Sequence, residues 1–563
     1  MRAKFFVCCI AATILSFPAG SRTRINVSSQ QEFDRLDRLI SISMENGDKD
    51  IEVSFKAGTY KYDNRALQLK GASSATKIRI NGNGSVLVGK GADTGVGAQV
   101  SKDFAYMGPG YSFADLWTTV EQSPEHIEVV SPETKMCRIK VSDRSDLTGG
   151  VSMIQISKWF KTGIYKVDSY KDGYAYFVAD DLKYSEKYSD YSINADRFYG
   201  HMPPRYRFWK GVSETPLYES RVPNFANLDH ISIGSLIIEG FRFQGCAAKR
   251  GAVALIRVET VDAGEIIIRG CDFQGCRANC INFENTANCL VTDCTFEHNY
   301  EFCVFAGNST SRISVTNCRF EDSSIGWNNT RCVYLRSEDF TVADSEFVDF
   351  AYGAIGFGVW FGNKQVRPVT GVVERNHIHY TKAYFDDYAK HTLMDGGAIS
   401  VTTKCDGVTI RDNWIHDYVG MRQNRGIFLD DGARNVKIYG NVILNIPNSF
   451  CIDSRRVGRV EDKAGKTNLN NEIAGNVMDG PYKLEGREGE ENGCVQGTNV
   501  ILRKEESVLD KCIVKNAKVT GNDIEVECLD ITDGRIKVAP DAMKRIKKVP
   551  RLNSKNINYI NNL

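Results

Sequence analysis

Short apolar strands recur through the middle of the chain, each closing on a small or amide residue with a further apolar position two places on. They read IIIRGCDF (266–273), LVTDCTF (290–296), ISVTNCRF (313–320), FTVADSEF (340–347), VVERNHI (372–378), VTIRDNWI (408–415), VKIYGNVI (436–443) and NEIAGNVM (471–478). The closing residues form a series: Phe241, Cys271, Cys294, Cys318, Ser345, Asn376, Asn413, Asn441 and Asn476. Its shortest steps, Cys271 to Cys294 to Cys318, are 23 and 24 residues. Units of this length cannot bury an apolar face alone and must stack as coils of a solenoid, with the longer steps carrying loops. The fold expected is therefore all-β, a right-handed parallel β-helix. A β-sandwich would give no fixed columns of small residues. The Cys and Asn positions are expected to stack in rows, Asn because it tolerates left-handed turns and can bond the Asn one coil away.

Each coil also carries a second strand, as in NCINFEN (279–285), FCVFAGN (302–308), RCVYLRS (331–337), GAIGFGV (353–359), GAISVTT (397–403), RGIFLDD (425–431), FCIDSRR (450–456) and GCVQGTN (493–499). The apolar columns that begin at Ile281 and Phe283 must point inward, so by alternation the columns between them point outward. One outward column then reads Asn282, Phe305, Tyr334, Gly356, Ser400, Phe428, Asp453, Gln496. The next reads Glu284, Gly307, Arg336, Gly358, Thr402, Asp430, Arg455, Thr498.

The flanks divide the chain further. Residues 1–21 place Arg2 and Lys4 before an apolar run that ends at Phe17, the pattern of a secretory signal peptide too short to span a bilayer, so export is expected. Residues 22–91 open with an amphipathic helix, Ser28 to Met44, with Ser28 or Ser29 as N-cap, that would cover the open end of the solenoid. Residues 92–227 lose the repeat and read as a β-rich insertion. Its tail, FYGHMPPRYRFWKG (198–211), is either core aromatics or a wall of a sugar-binding cleft. The β-helix proper is expected over 228–500, with a charged tail or cap over 501–563.

Lys plus Arg (71) and Asp plus Glu (70) nearly cancel, so neither a nucleic-acid nor a membrane partner is expected, and the chain reads as a monomer. Of its 17 cysteines two lie in the signal segment, and most of the rest fall at repeat-locked positions, Cys271, Cys294 and Cys318 in one column, Cys280, Cys303, Cys332, Cys451 and Cys494 in another. Reduced structural thiols are the expectation, with one or two bridges as the alternative. No zinc spacing occurs. His379 and His416 should stack on adjacent coils, but spacing supplies no third ligand, so no metal centre is expected.

The outward columns place Tyr334, Arg336, Phe428, Asp430, Asp453 and Arg455 on one wall. Asp430 and Asp453 form a diagonal across neighbouring coils, roughly 7 to 8 Å between side-chain origins. That suits an acid and base across a glycosidic bond with room for water. Gly356 and Gly358 would open a hollow beside them. The alternative is a solvated ladder in which Asp430 and Arg455 simply pair.

The motifs DGGAISV (395–401), GVTIRDNWIHD (407–417) and RGIFLDDGARNVKIYGNVI (425–443) resemble secreted right-handed β-helix proteins of carbohydrate metabolism, the pectate-lyase-like group with its glycoside hydrolase families. The resemblance adds Asp395 and Asp431 to the candidate acids. It implies a glycoside hydrolase acting on a polysaccharide or oligosaccharide, with Asp430 and Asp453 (or Asp395) as acid and base. Arg336, Arg455 and Arg425 would bind substrate, and Tyr334 and Phe428 would stack on sugar. A polysaccharide lyase with Arg425 or Lys404 as base, often with Ca2+, is the second reading, and a non-catalytic glycan-binding solenoid the third. The polygalacturonase motifs are absent, which speaks against pectin backbone hydrolysis.

Overall fold

The computed structural model describes most of 22–89, the strands within 121–178, residues 205–209, and most of 225–560. Residues 1–21, 90–120, 179–204, 210–224 and 245–253, with loops that include 382–395, 419–424, 431 and 455–467, lie outside the described residues, and with them the signal-peptide expectation. No described helix is long and apolar enough to cross a membrane.

The strands form one 35-stranded assembly, and its long-range pairings are parallel from Thr23–Val27 to the strand that begins at Ile524. These pairings make the chain a parallel β-helix with three ladders. The front ladder runs from Ala226–Leu228, at the head of the long strand Ala226–Gln244, to the Ala254–Glu259 part of the long strand Ala254–Arg269. It continues through Asn279–Glu284, Val304–Ala306, Val333–Leu335, Ile355–Phe357, Ile399–Val401, Arg425–Leu429 and Phe450–Ser454 to Tyr482–Glu485. A second ladder contains Ser311–Thr316, Val408–Arg411 and Asn471–Ala474, and a third contains Glu346–Val348, His377–His379 and Trp414–His416.

Between the second and third ladders the chain bends at one residue in the left-handed region: Gly240, Gly270, Asp293, Asn317, Asp344, Arg375, Asp412, Gly440 and Gly475. Gly, Asn and Asp suit that conformation because they carry little or no Cβ penalty there. The bend therefore falls one residue before each Cys or Asn marker, not on the marker itself. The markers turn inward and bond one another. Asn376 and Asn413 each donate Nδ2 to the Oδ1 of the next marker, Asn413 (3.0 Å) and Asn441 (2.9 Å). Backbone N–H groups do the same, and the ladder runs on through Asn476 and Asn499 to Asp523.

Inside, stacking follows the coil repeat. Phe243, Phe273, Phe296, Phe320 and Phe347 lie face to face with centroids 5.0, 4.8, 4.7 and 4.5 Å apart. The front-ladder column Ile281, Val304, Val333, Ile355, Ile399, Ile427 and Ile452 is fully buried. All described cysteines are free thiols. Cys494 departs from its expected column: it stands opposite Glu472 on the second ladder, because Tyr482–Glu485 supplies the coil that follows Asp453.

The N-terminal cap is two short helices, Gln30–Asp34 and Leu36–Glu45, broken at Arg35. Ser29 is the N-cap, and the Glu32 carboxylate accepts from Ser28 N–H at 2.7 Å. Phe33, Leu36 and Ile40 seal the open end. A separate 7-stranded antiparallel sheet lies between Glu121 and Trp209, with its own core around Ile139, Ile154 and Phe177. At the far end the hairpin Ile524–Thr532 with Arg535–Val538 and the helix Pro540–Ile546 close a small apolar cluster.

Candidate functional site

On the outer side of the front ladder one column reads Arg257, Asn282, Phe305, Tyr334, Gly356, Ser400, Phe428, Asp453, Lys483. Lys483 replaces the Gln496 expected from spacing. The second outward column, two residues further on each strand, contains Glu259, Glu284, Gly307, Arg336, Gly358 and Asp430. Phe428 faces Asp453 directly, which sets Asp430 diagonal to Asp453.

Outward does not mean exposed. Tyr334, Phe428 and Asp453 are 3%, 1% and 3% exposed, so the open sugar-stacking wall expected from the sequence is covered. Two cations, buried themselves, lie against them. The Arg425 guanidinium lies 4.1 Å from the Phe428 ring centroid, and its Nε donates to Asp453 Oδ2 at 2.6 Å. Arg331 lies over Tyr334 and Tyr352 at 5.3 and 4.8 Å and donates to Ser400 Oγ at 2.8 Å. Arg331 also fills the hollow expected at Gly356, where an added Cβ would meet its Cδ at 2.0 Å. Asp430 and Lys404 are half-buried. Asp395, Asp431 and Arg455 lie outside the described residues.

The start of the same face brings together a pair that the sequence reading passed over. Glu259 and Glu284 are direct partners on adjacent coils, which lie about 4.8 Å apart. Their surroundings differ. Glu259 is ion-paired to Arg257 and accepts Asn285 Nδ2 at 2.6 Å, with His230 Nε2 3.5 Å away. Burial pushes the Glu284 carboxyl above the ordinary range, with Arg257 and Arg336 opposing the shift and Glu259 adding to it. Gly307, next in the column, leaves the space that Glu284 occupies: a Cβ there would lie 1.8 Å from Glu284 Oε2. Arg336 follows, half-buried, 5.4 Å from the Phe305 ring and 5.1 Å from Tyr334. Arg336 Nε and Asn282 Oδ1 are buried and make no hydrogen bond among the described residues. Chemically this is one carboxyl biased toward its acid form beside one held by a cation, with a donor and an acceptor close to it.

On the third ladder His377 stands opposite Trp414, and His379 opposite His416. The third imidazole missing from the sequence reading is thus His377, two residues before His379 on the same strand and so on the same face. The three rings lie with centroids 4.1 to 5.0 Å apart. His416 is buried rather than part of a surface stack. Burial lowers the His377 pKa to about 4, and burial also lowers that of His416.

A sequence family described as right handed beta helix region matches residues 254–476. No curated protein matches the sequence. Among solved structures, one titled "Glycoside hydrolase" aligns at a TM-score of 0.43 and 10% identity over 90% of this chain and 96% of that one. A complex of XylC with xylose aligns at 0.37 and 8% over 95% and 93%. The tailspike protein gp49 from Pseudomonas phage LKA1 aligns at 0.17 and 10% over 88% and 77%. At such identities the activities printed in those titles stay with those proteins. The parallel pairings together with the matched family make this a right-handed parallel β-helix.

Proposed function

We propose that the chain is an exported, monomeric carbohydrate-active enzyme, a glycoside hydrolase whose acid and base are front-face carboxylates. The observation that carries this reading is the Glu259–Glu284 pair. Paired carboxyl groups of which one, Glu284, is biased toward its acid form by burial are what acid and base roles require. In this reading Glu284 is the acid and donates to the leaving glycosidic oxygen. Glu259, anchored by Arg257, is the second carboxylate. Arg336 binds substrate, and Asn282 offers a hydrogen-bond acceptor to a sugar hydroxyl. Direct stacking at one coil spacing favours the short carboxyl separation of retaining enzymes, about 5 to 5.5 Å. The glycan as substrate class comes from the motif resemblance at 395–401 and 425–443, a warrant by analogy.

Asp430 supports a second placement at the other end of the same wall, because it is half-buried while Asp453 is locked against Arg425. A lyase with Arg425 as base is disfavoured by that same ion pair. The test is a product assay over plant, algal and host glycans. New reducing ends without ultraviolet-absorbing unsaturated ends support the reading. Unsaturated products would replace it with elimination, and no product from any glycan would leave a binding solenoid.

A further inference from the structure

We propose that His377, His379 and His416 form a site for a divalent transition-metal cation of the zinc class that pins neighbouring coils of the third ladder together. One ligand atom from each of the three histidines falls within 4.8 Å of the others. The Nε2 atoms of His377 and His416 are 2.8 Å apart. Ligand nitrogens around a tetrahedral zinc stand about 3.3 Å from one another, given Zn–N bonds of about 2.0 to 2.1 Å. Filling the site therefore needs small displacements. The partly exposed His377 and His379 rings must also rotate about χ2 to bring their planes onto the ion, and that torsion is a soft one for histidine.

Two further observations point to a ligand. The His416 ring is oriented from behind: its Nδ1 bonds Asp417 Oδ2 at 2.7 Å, and Asn445 Nδ2 bonds Asp417 Oδ1 at 2.5 Å. A carboxylate behind an imidazole fixes the tautomer, so that the far nitrogen, here Nε2, presents its lone pair to the cluster. On the open side Glu346 Oε1 lies 3.2 Å from His379 Nε2 and 3.5 Å from His377 Nδ1, and this carboxylate, shared with Arg319, favours a cation beside the imidazoles without joining the ligand set. Three imidazoles suit zinc, with the fourth position left to a water on the partly exposed side. The turn at Gly534 covers His416: an added Cβ there would lie 2.5 Å from His416 Cδ2, and Gly534 O accepts Trp414 Nε1 at 2.9 Å. Entry is from the partly exposed side of His377 and His379.

The experiment uses the full chain, stripped with a chelator and titrated with Co2+, whose visible absorption reports tetrahedral nitrogen coordination. One cobalt per chain is expected, displaced by Zn2+, with a rise in melting temperature on zinc addition. His379→Gln, at a partly exposed position, should weaken binding at least tenfold and abolish the tetrahedral spectrum while the circular dichroism stays native. Asp417→Asn should weaken binding by roughly 10- to 100-fold with all three imidazoles still present. His230→Gln, in the other cluster able to hold a cation, should leave the spectrum unchanged. Sub-stoichiometric cobalt on the wild-type chain, or full binding by a folded His379→Gln chain, would overturn the proposal and leave a metal-free imidazole stack.

Discussion

Arg425 reaches across one coil to Asp453, Nε to Oδ2 at 2.6 Å, with both side chains at most 5% exposed. A buried pair of this kind holds its two strands in register, and removing one partner leaves a charge in a medium that solvates it badly. Asp453→Ala is expected to destabilise the fold by roughly 3 to 5 kcal/mol in denaturant unfolding. The double change Arg425→Met with Asp453→Leu should cost clearly less. Equal losses in the single and double variants would show that the pair does not act as a unit.

The amide ladder should be as sensitive. Asn413 is fully buried, accepts from Asn376 and donates to Asn441 and to Val373 O. Asn413→Ala strands donors and acceptors on both neighbouring coils, at about 1 to 3 kcal/mol for each buried group left unsatisfied. Thermal unfolding of this variant should fall well below that of the wild type. An unchanged midpoint would mean that water or neighbours replace the lost amide.

Gly307 separates stability from chemistry. A Cβ there meets only the end of the flexible Glu284 side chain, so Gly307→Ala should leave the melting temperature within a few degrees while turning the carboxyl aside. Activity on the responsive glycan should drop about tenfold or more, since small misplacements of a reacting group are costly. Full activity would place the chemistry elsewhere on the face, with Asp430→Asn as the next variant to assay.

The pH dependence follows from burial of Glu284. Its native pKa stands above the ordinary glutamate value of 4.5, so the unfolded chain releases this proton at lower pH than the folded one. Stability from this group is therefore complete below about pH 4.5 and declines as pH rises through the native pKa. Glu284→Gln cannot ionise and should melt higher than the wild type at pH 7, with the gap closing in acid. Arg336 opposes the shift, so Arg336→Met should raise the pKa further and carry the basic limb of the kcat/KM profile to higher pH. A limb that moves to lower pH, or not at all, would remove Glu284 from the acid role.

Much of the solenoid was legible because its markers are small or amide residues whose partners lie one coil away, and the Asn376–Asn413–Asn441 contacts are those that spacing implies. The Glu259 coil of the front ladder was hidden because Ala254–Arg269 rounds a corner without a break, so Glu259 did not align with Glu284. The coil at Tyr482–Glu485 was missed because Pro481 stands at the position that Cys451 holds on the coil before it, and Tyr482 at that of Ile452. Alternation told which way Tyr334 and Phe428 point, but not that Arg331 and Arg425 would lie across them. His377 could have been found from HIH above WIH, since positions two apart on a strand share a face.

The most direct measurement is the turnover rate of Glu284→Gln beside wild type on the glycan that the product assay identifies, at the pH of maximal rate. The acid role predicts a loss of about 10² to 10⁴-fold in kcat in a chain that melts no lower than wild type. A rate within twofold of wild type would contradict it.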